Sequence, residues 1–421
     1  MSYIDTDVLV IGGGPAGLAA AIEADKEGVR TVVLEREDRA GGILRQCIHN
    51  GFGLHRFSEE LTGPEYAQRD IDEAEKRKID IRTGTTVLGV SPDRVVTAVS
   101  RERGYEKYRA GAVVLAMGCR ERPRGALAIP GDRCAGIYSA GTAQKYVNLM
   151  GYMPGRRVVI LGSGDIGLIM ARRMTLQGAK VLACVEIMPY SSGLNRNIVQ
   201  CLNDYGIPLY LNHTVTDIRG RERVEGVTVS EVDGKRNPIP GTEMHFDCDT
   251  LLLSVGLIPE NELTRKCGIE ISPATSGALV NERYETSVPG IFACGNVLHV
   301  HDLVDYVSEE SQKAGRAAAL YVKEKRAEES EVMIRVADGF GVRGVVPQMI
   351  RGGDGLKDIS LMFRTSNVFR DRSITLTADD QVILKQKKKI LTPGEMVNLR
   401  LTDKIIPAMK NCKTLSVSIT E

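Results

Sequence analysis

The chain has 421 residues, more than one ordinary domain holds, so two or three domains are expected. Its 55 basic and 54 acidic residues leave a net charge of +1, which excludes a global pull toward nucleic acid or anionic membrane. Tryptophan is absent and aromatic residues make up 5%, so no base-stacking surface is expected, and no apolar run approaches the ~20 residues of a membrane span. The N-terminal MSYIDTDVLVIGGG runs straight into a strand without a basic stretch or cleavage site, so no targeting leader is expected. None of the nine cysteines forms a CxxC. Structural disulfides are therefore not expected, and a reducing cytoplasm is the expected compartment.

Residues 6–11 (TDVLVI) read as a buried parallel strand, 15–27 as a helix and 31–35 (TVVLE) as the next strand, which makes a βαβ unit. The charged stretch 59–77 is expected to be helical. IRTGTTVLGV (81–90) and the basic stretch up to Tyr108 read as short strands, and AGAVVLAMG (110–118) as another buried one. A second βαβ unit opens at Arg157, with its helix at 166–177 and its strand at 179–186 (AKVLACVE). A further helix and strands lead to CDTLLLSVG (248–256), which closes this unit much as VVLAMG closes the first. PGIFACGN (289–296) is one more strand, 305–325 a helix, and the polar run KEKRAEESE (323–331) a boundary. Beyond it MIRV, ISLMFR, SITLTA, QVILK, VNLRL and TLSVSI alternate with a period of two between Gly, Pro, Asp and Asn, which predicts a small antiparallel β domain.

Both βαβ units carry a glycine turn of the kind that holds a dinucleotide. In the first, Gly12 permits the tight turn after the strand, Gly14 lets the backbone approach a pyrophosphate, and Gly17 lets the helix pack closely on the sheet. Pro15 and Ala16 start the helix, whose N–H groups and positive end attract the anion. Glu35 ends the following strand, where a carboxylate accepts hydrogen bonds from both hydroxyls of an adenosine ribose, and Arg36 is expected to lie over the adenine. The alternative is a turn used only for packing. In the second unit Gly162, Gly164 and Gly167 repeat the pattern, Asp165 lies inside it, and Glu186 ends the next strand one residue later than the first spacing. A carboxylate there favours NAD over NADP, because a 2′-phosphate is repelled. No arginine follows directly, although Arg196 stands farther on as a phosphate ligand, so NADPH remains the less favoured coenzyme. A vestigial site that keeps the fold without coenzyme is the other reading.

Three further segments carry a resemblance. Gly41-Gly42 follows Glu35, AMGCRERPRGALAIPG occupies 116–131, and TSVPGIFACGN occupies 286–296. With the two glycine turns, these resemble the two-dinucleotide-binding-domain flavoproteins, the superfamily of thioredoxin reductase, glutathione reductase and NADH oxidases. The resemblance implies an α/β fold of two Rossmann-like domains plus a small C-terminal β domain. The FAD domain would be discontinuous (1–120 and 285–328), the NAD(P) domain inserted (121–284), and the β domain would span 329–421. It implies FAD at the first glycine turn, with Gly41 and Gly42 wrapping the pyrophosphate and Val87, Ala116, Gly118, Gly295 and Asn296 lining the cofactor. Asn296 stands where the family has an aspartate on the ribityl chain. It still accepts a hydrogen bond but carries no charge, which implies weaker or differently tuned FAD binding. Gly256, in SVGLIPEN, resembles the family's crossover out of the nicotinamide domain.

The chain departs from the disulfide reductases in that family. GGILRQCIHNGFG has Cys47 alone where a CxxxxC belongs, and the nicotinamide half has no CxxC. Dithiol exchange needs an attacking thiolate and a resolving partner, so a standard disulfide reductase is not expected. The catalytic candidates are Cys47, which could cycle through a sulfenate, His49, and His299 with His301 at the flavin pyrimidine edge. Simple loop packing is the alternative for each. No metal is expected, because two histidines without a third ligand make a poor site. The polar and aromatic stretch 48–69 is a candidate substrate or partner surface. The absence of the cysteine pair resembles the FAD/NAD(P)-binding subunits of amine, opine and proline dehydrogenases and of glycerol-3-phosphate dehydrogenase systems. That implies an NADH-oxidoreductase component, moving a hydride between nicotinamide and flavin beside a partner dehydrogenase or electron-carrier subunit. The competing expectations are a free-standing NADH oxidase or peroxidase using Cys47, and a non-catalytic assembly subunit that holds FAD.

Overall fold

The computed structural model describes residues 3–324, 333–352, 356, 358–409 and 412–421. The chain separates into two compact units, Met1–Cys119 with Pro259–Glu421, and Arg120–Ile258.

The first unit begins with β1 (Ile4–Ile11), α1 (Pro15–Lys26), β2 (Thr31–Leu34), α2 (Gly63–Lys76), β3 (Asp80–Arg82), β4 (Thr85–Val90), β5 (Val95–Ser100) and β6 (Gly104–Leu115). β1 pairs in parallel with β2 on one side and with β6 on the other. Val8, Leu9 and Val10 of β1 are fully buried. A parallel strand covered on both faces needs apolar residues at successive positions, which is why this segment shows no alternation. α1 starts after Gly14 with Pro15 in its first turn, where the missing N–H costs nothing. α2 starts four residues later than the charged stretch suggested. Thr62 and Glu65 form a reciprocal capping box and Pro64 follows the cap, which fixes the start there.

The second unit holds β7 (Ile137–Ser139), β8 (Arg157–Leu161), α3 (Asp165–Leu176), β9 (Lys180–Glu186), β10 (Leu209–Leu211), β11 (His213–Gly220), β12 (Val224–Glu231), β13 (Met244–Phe246) and β14 (Thr250–Leu253). Its parallel sheet runs β7-β14-β8-β9-β10, and β11-β12-β13 form an antiparallel sheet. Val158, Ile160, Leu168, Met174 and Leu252 make one of its cores.

The chain then returns to the first unit with β15 (Ile291–Ala293), which pairs with β6 and completes a seven-stranded sheet, and with α4 (Val304–Lys323). α4 lies on α1 so closely that a Cβ at Gly315 would fall 2.1 Å from the Ala20 carbonyl oxygen. Residues 259–284, expected with the nicotinamide half, also belong to this unit. Cys267, Ile269, Ala278 and Val280 share a core with Val8 and Val114, so their burial joins them to the first sheet. The boundary run expected at 323–331 lies from residue 325 onward outside the described residues, as does the expected domain start at 329.

The tail folds as expected into strands around its own core of Ile334, Leu361, Phe363, Leu376 and Leu415. One expectation is corrected, since the set is not purely antiparallel. Met333–Asp338 pairs in parallel with the final strand Thr414–Thr420. Period-two alternation marks a strand but carries no information on the direction of its neighbour. Among the described residues no helix is long and apolar enough to cross a membrane.

Candidate functional site

The first glycine turn joins β1 to α1. Gly12 has a φ of +106°, and a Cβ there would lie 2.4 Å from the Ala116 carbonyl oxygen. At Gly17 a Cβ would fall 1.7 Å from the Gly12 oxygen, so α1 sits directly on the turn. Gly14 differs, because an added Cβ would meet nothing nearer than the Gly42 Cα at 3.8 Å. That face is not filled by protein, and it suits a pyrophosphate on the helix-terminal N–H groups.

Segments distant in sequence converge here. The Gly41 N–H donates to the Gly13 oxygen at 2.8 Å, and a Cβ at Gly42 would lie 2.9 Å from the Gly14 Cα. A Cβ at Gly295 would lie 2.8 Å from the Ala16 Cβ. Glu35 is buried, and its carboxylate accepts the Gly13 N–H at 2.6 Å and the Glu37 N–H at 2.8 Å. Each oxygen keeps a further acceptor position for a hydroxyl. Arg36 is exposed, with its nearest acid, Glu37, at 3.9 Å. Val87 lies in β4 opposite Ala98, and the Gly118 oxygen accepts the Glu260 N–H.

The second turn repeats this geometry within its own unit. Gly162 has a φ of +95°, and a Cβ would lie 2.1 Å from the Ser254 oxygen, while at Gly167 it would lie 2.6 Å from the Ser254 Cβ. Glu186 accepts the Ser163 N–H at 3.0 Å and the Met188 N–H at 2.9 Å. These match the Gly13 and Glu37 bonds of the first unit atom for atom. One bond is new: the Ser163 hydroxyl donates to the same Glu186 oxygen at 2.6 Å. Asp165, expected at the coenzyme, accepts the Leu194 N–H at 2.8 Å and the Asn197 amide at 2.6 Å. It thereby anchors residues 194–197 beside the turn. Arg196 is exposed there, and the Gly256 oxygen accepts the Arg122 N–H.

The catalytic candidates separate. Cys47 follows the short turn Gly42–Gln46, and burial pushes its thiol up to about 12. A neutral thiol of that kind does not supply the reactive thiolate. His49 contacts the Asn50 oxygen and the Phe52 ring. His299 and His301 are buried with ring centroids 4.2 Å apart. They are joined by Glu310, a residue absent from the sequence-based set. Its carboxylate lies 2.6 Å from His299 Nε2 and accepts the Gly295 N–H at 2.7 Å. The premise that the histidines lack a third acidic or nitrogen ligand is therefore corrected. Glu310 shares the buried face of α4 with Val307, Ser311 and Ala314, a helical spacing that offered a signal in the sequence. The Asn296 oxygen accepts the His301 backbone N–H at 3.0 Å, and its amide nitrogen faces the Cys119 sulfur at 3.6 Å. The stretch 48–69 is tied to the start of α4. Arg56 makes a two-pronged pair with Asp70 and its N–H donates to Asp305, while Tyr66 donates to Ser308.

Two glycine turns, each with a strand-end carboxylate, on two sheets with parallel cores define a flavoprotein-type oxidoreductase fold with two Rossmann-like parts. Residues 6–341 match the model of the pyridine nucleotide-disulphide oxidoreductase family, and the chain belongs to that family. It is 24% identical over 423 residues to hydrogen cyanide synthase subunit HcnB of Pseudomonas protegens, covering 91% of this chain and 87% of that protein. It is 25% identical to an opine oxidase subunit of Agrobacterium tumefaciens, covering 75% of this chain and 64% of that one. The crystal structure of T. acidophilum thioredoxin reductase matches 76% of this chain and 98% of its own with a TM-score of 0.61 and 26% identity.

Proposed function

We propose that this chain is an FAD-dependent NAD(P)H oxidoreductase acting as a subunit of a heteromeric dehydrogenase. The observation that carries this reading is the duplicated turn-and-carboxylate geometry at Gly12–Glu35 and Gly162–Glu186. FAD, once bound, supplies a ring that accepts a hydride from a reduced nicotinamide or gives one back. The chain's own part is to bind and orient. Gly14 and the start of α1 receive the FAD pyrophosphate, Glu35 the ribose, and Gly41, Gly42, Gly295 and Asn296 close around it. Gly164 and the start of α3 receive the coenzyme pyrophosphate. Glu186 receives its ribose through the oxygen that keeps a vacant acceptor position, which supports NADH over NADPH.

The subunit role is supported by two relatives whose names describe subunits. Electrons would leave the flavin for a partner protein or a small acceptor. The Cys47 oxidase alternative loses support from the thiol's raised pKa, which disfavours the thiolate at neutral pH. Anaerobic titration of the purified FAD-loaded protein with NADH and with NADPH tests the reading. Bleaching of the flavin by NADH is expected, and a protein that binds no FAD, or whose flavin neither coenzyme bleaches, overturns it.

A further inference from the structure

Three side chains from two elements converge beside Asn296. The ligand-type atoms of His299, His301 and Glu310 all lie within 4.8 Å of one another. Their side chains are 5%, 0% and 0% exposed. His299 Nε2 stands 2.6 Å from Glu310 Oε2, a separation that holds a shared hydrogen. His301 Nε2 stands 3.5 Å from the same oxygen and has no hydrogen-bond partner among the described residues. The other ring nitrogen, Nδ1, faces the Asn296 oxygen at 3.4 Å. That oxygen only accepts, so a hydrogen on Nδ1 suits it and leaves Nε2 with its lone pair toward a carboxylate. Two acceptors facing each other in a dry site repel unless a cation lies between them.

We propose that His299, His301 and Glu310 bind a divalent transition-metal cation of the zinc class. Two imidazole nitrogens and one carboxylate are a ligand set such an ion accepts. With bonds of about 2.1 Å in a tetrahedral arrangement, ligand atoms stand roughly 3.4 Å apart. The 3.5 Å between His301 Nε2 and Glu310 Oε2 already has that spacing. The 2.6 Å gap to His299 is that of a hydrogen bond. Binding through His299 Nε2 therefore moves that hydrogen to the other nitrogen of the same neutral ring, Nδ1, and widens the gap by roughly 0.8 Å. The surrounding bonds are those of an outer shell. The Gly295 N–H holds Glu310 Oε1 at 2.7 Å, and the Asn296 oxygen sets the His301 tautomer. The three side chains leave the fourth position of a tetrahedral ion open to a water molecule.

The test uses the FAD-loaded full chain purified without chelator. Elemental analysis for first-row metals comes first, followed by calorimetric titration with Zn²⁺ and Co²⁺ in two buffers of different ionisation enthalpy. One equivalent of metal is expected, with the same enthalpy in both buffers, because the ring hydrogen shifts within His299 and none is released. His301→Ala and Glu310→Gln should weaken binding on the order of 100-fold or more, while His245→Ala, an exposed residue, should not. His301→Gln replaces His301→Ala if the latter melts abnormally. The proposal is overturned if no metal copurifies and neither ion binds saturably, or if His301→Ala binds as tightly as the parent. Metal binding by a protein that proves inert to NADH would leave this site standing and overturn only the hydride reading.

Discussion

Gly164→Ala separates coenzyme binding from folding. Its φ of −67° is ordinary for alanine. The added Cβ would meet the Ser254 hydroxyl at 3.3 Å and, farther off, the Ser254 carbonyl oxygen at 3.6 Å and the Ser192 hydroxyl at 3.8 Å. The protein accommodates it with a shift of a few tenths of an ångström, so the change in stability should stay within about 0.5–1 kcal/mol. A bound pyrophosphate has no such room, because it must lie against this backbone to reach the N–H groups that open α3. Losing two charge-assisted hydrogen bonds of roughly 1.5–3 kcal/mol each costs about 3–6 kcal/mol, or 100-fold or more in coenzyme affinity. The assay is anaerobic rapid mixing, with the rate of flavin bleaching followed against NADH concentration and flavin content and melting temperature measured on the same samples. Gly162→Ala is the contrast. At a φ of +95° and 2.1 Å from the Ser254 oxygen, its Cβ should destabilise the second unit by about 2–4 kcal/mol. If Gly164→Ala bleached with an unchanged NADH dependence, the coenzyme would not lie against this turn and the argument from the glycine would fail.

Glu186→Gln should raise the NADH KM roughly tenfold and lower that for NADPH, since the charge that repels a 2′-phosphate is removed; steady-state kinetics with both coenzymes would show an unchanged ratio if Glu186 plays no part. Cys47→Ser should leave NADH-dependent turnover intact. Because the Cys47 thiol is held up at about 12, it stays protonated at neutral pH and ionises only as the pH climbs toward that value. Its alkylation, followed by mass spectrometry, should therefore stay slow between about pH 7 and 9, where an ordinary thiol ionises. Rapid labelling there would refute the assigned environment. Gly315→Ala drives a methyl group into the Ala20 carbonyl and should cost roughly 1–3 kcal/mol in denaturant unfolding; a neutral result would mean that α1 and α4 separate easily.

Features set by local chemistry were legible from the residues alone. A positive φ at Gly12 or Gly162 demands glycine, and a carboxylate at the end of the next strand lies opposite the turn by the geometry of a βαβ unit. Glu35 and Glu186 accordingly stand beside the turns, where each accepts a turn N–H. The tail strands were legible for the same reason, since alternation is a property of one strand.

What the linear order could not decide was which distant surfaces meet. Residues 259–284 join the first sheet because Ile269 and Val280 bury there, a choice made by packing. Met333–Asp338 takes the last strand as a parallel neighbour, a pairing formed across some eighty residues. Cys47 reads the same in sequence whether reactive or inert, and only its surroundings in the fold push its thiol up to about 12. Glu310 is one of two adjacent acids in SEES; the turn of α4 against β15 and the loop after it buries this one among two histidines. The turns were written locally because backbone sterics act over a few bonds. The cluster at Glu310 exists only once tertiary packing has removed water and brought two imidazoles and a carboxylate to one point.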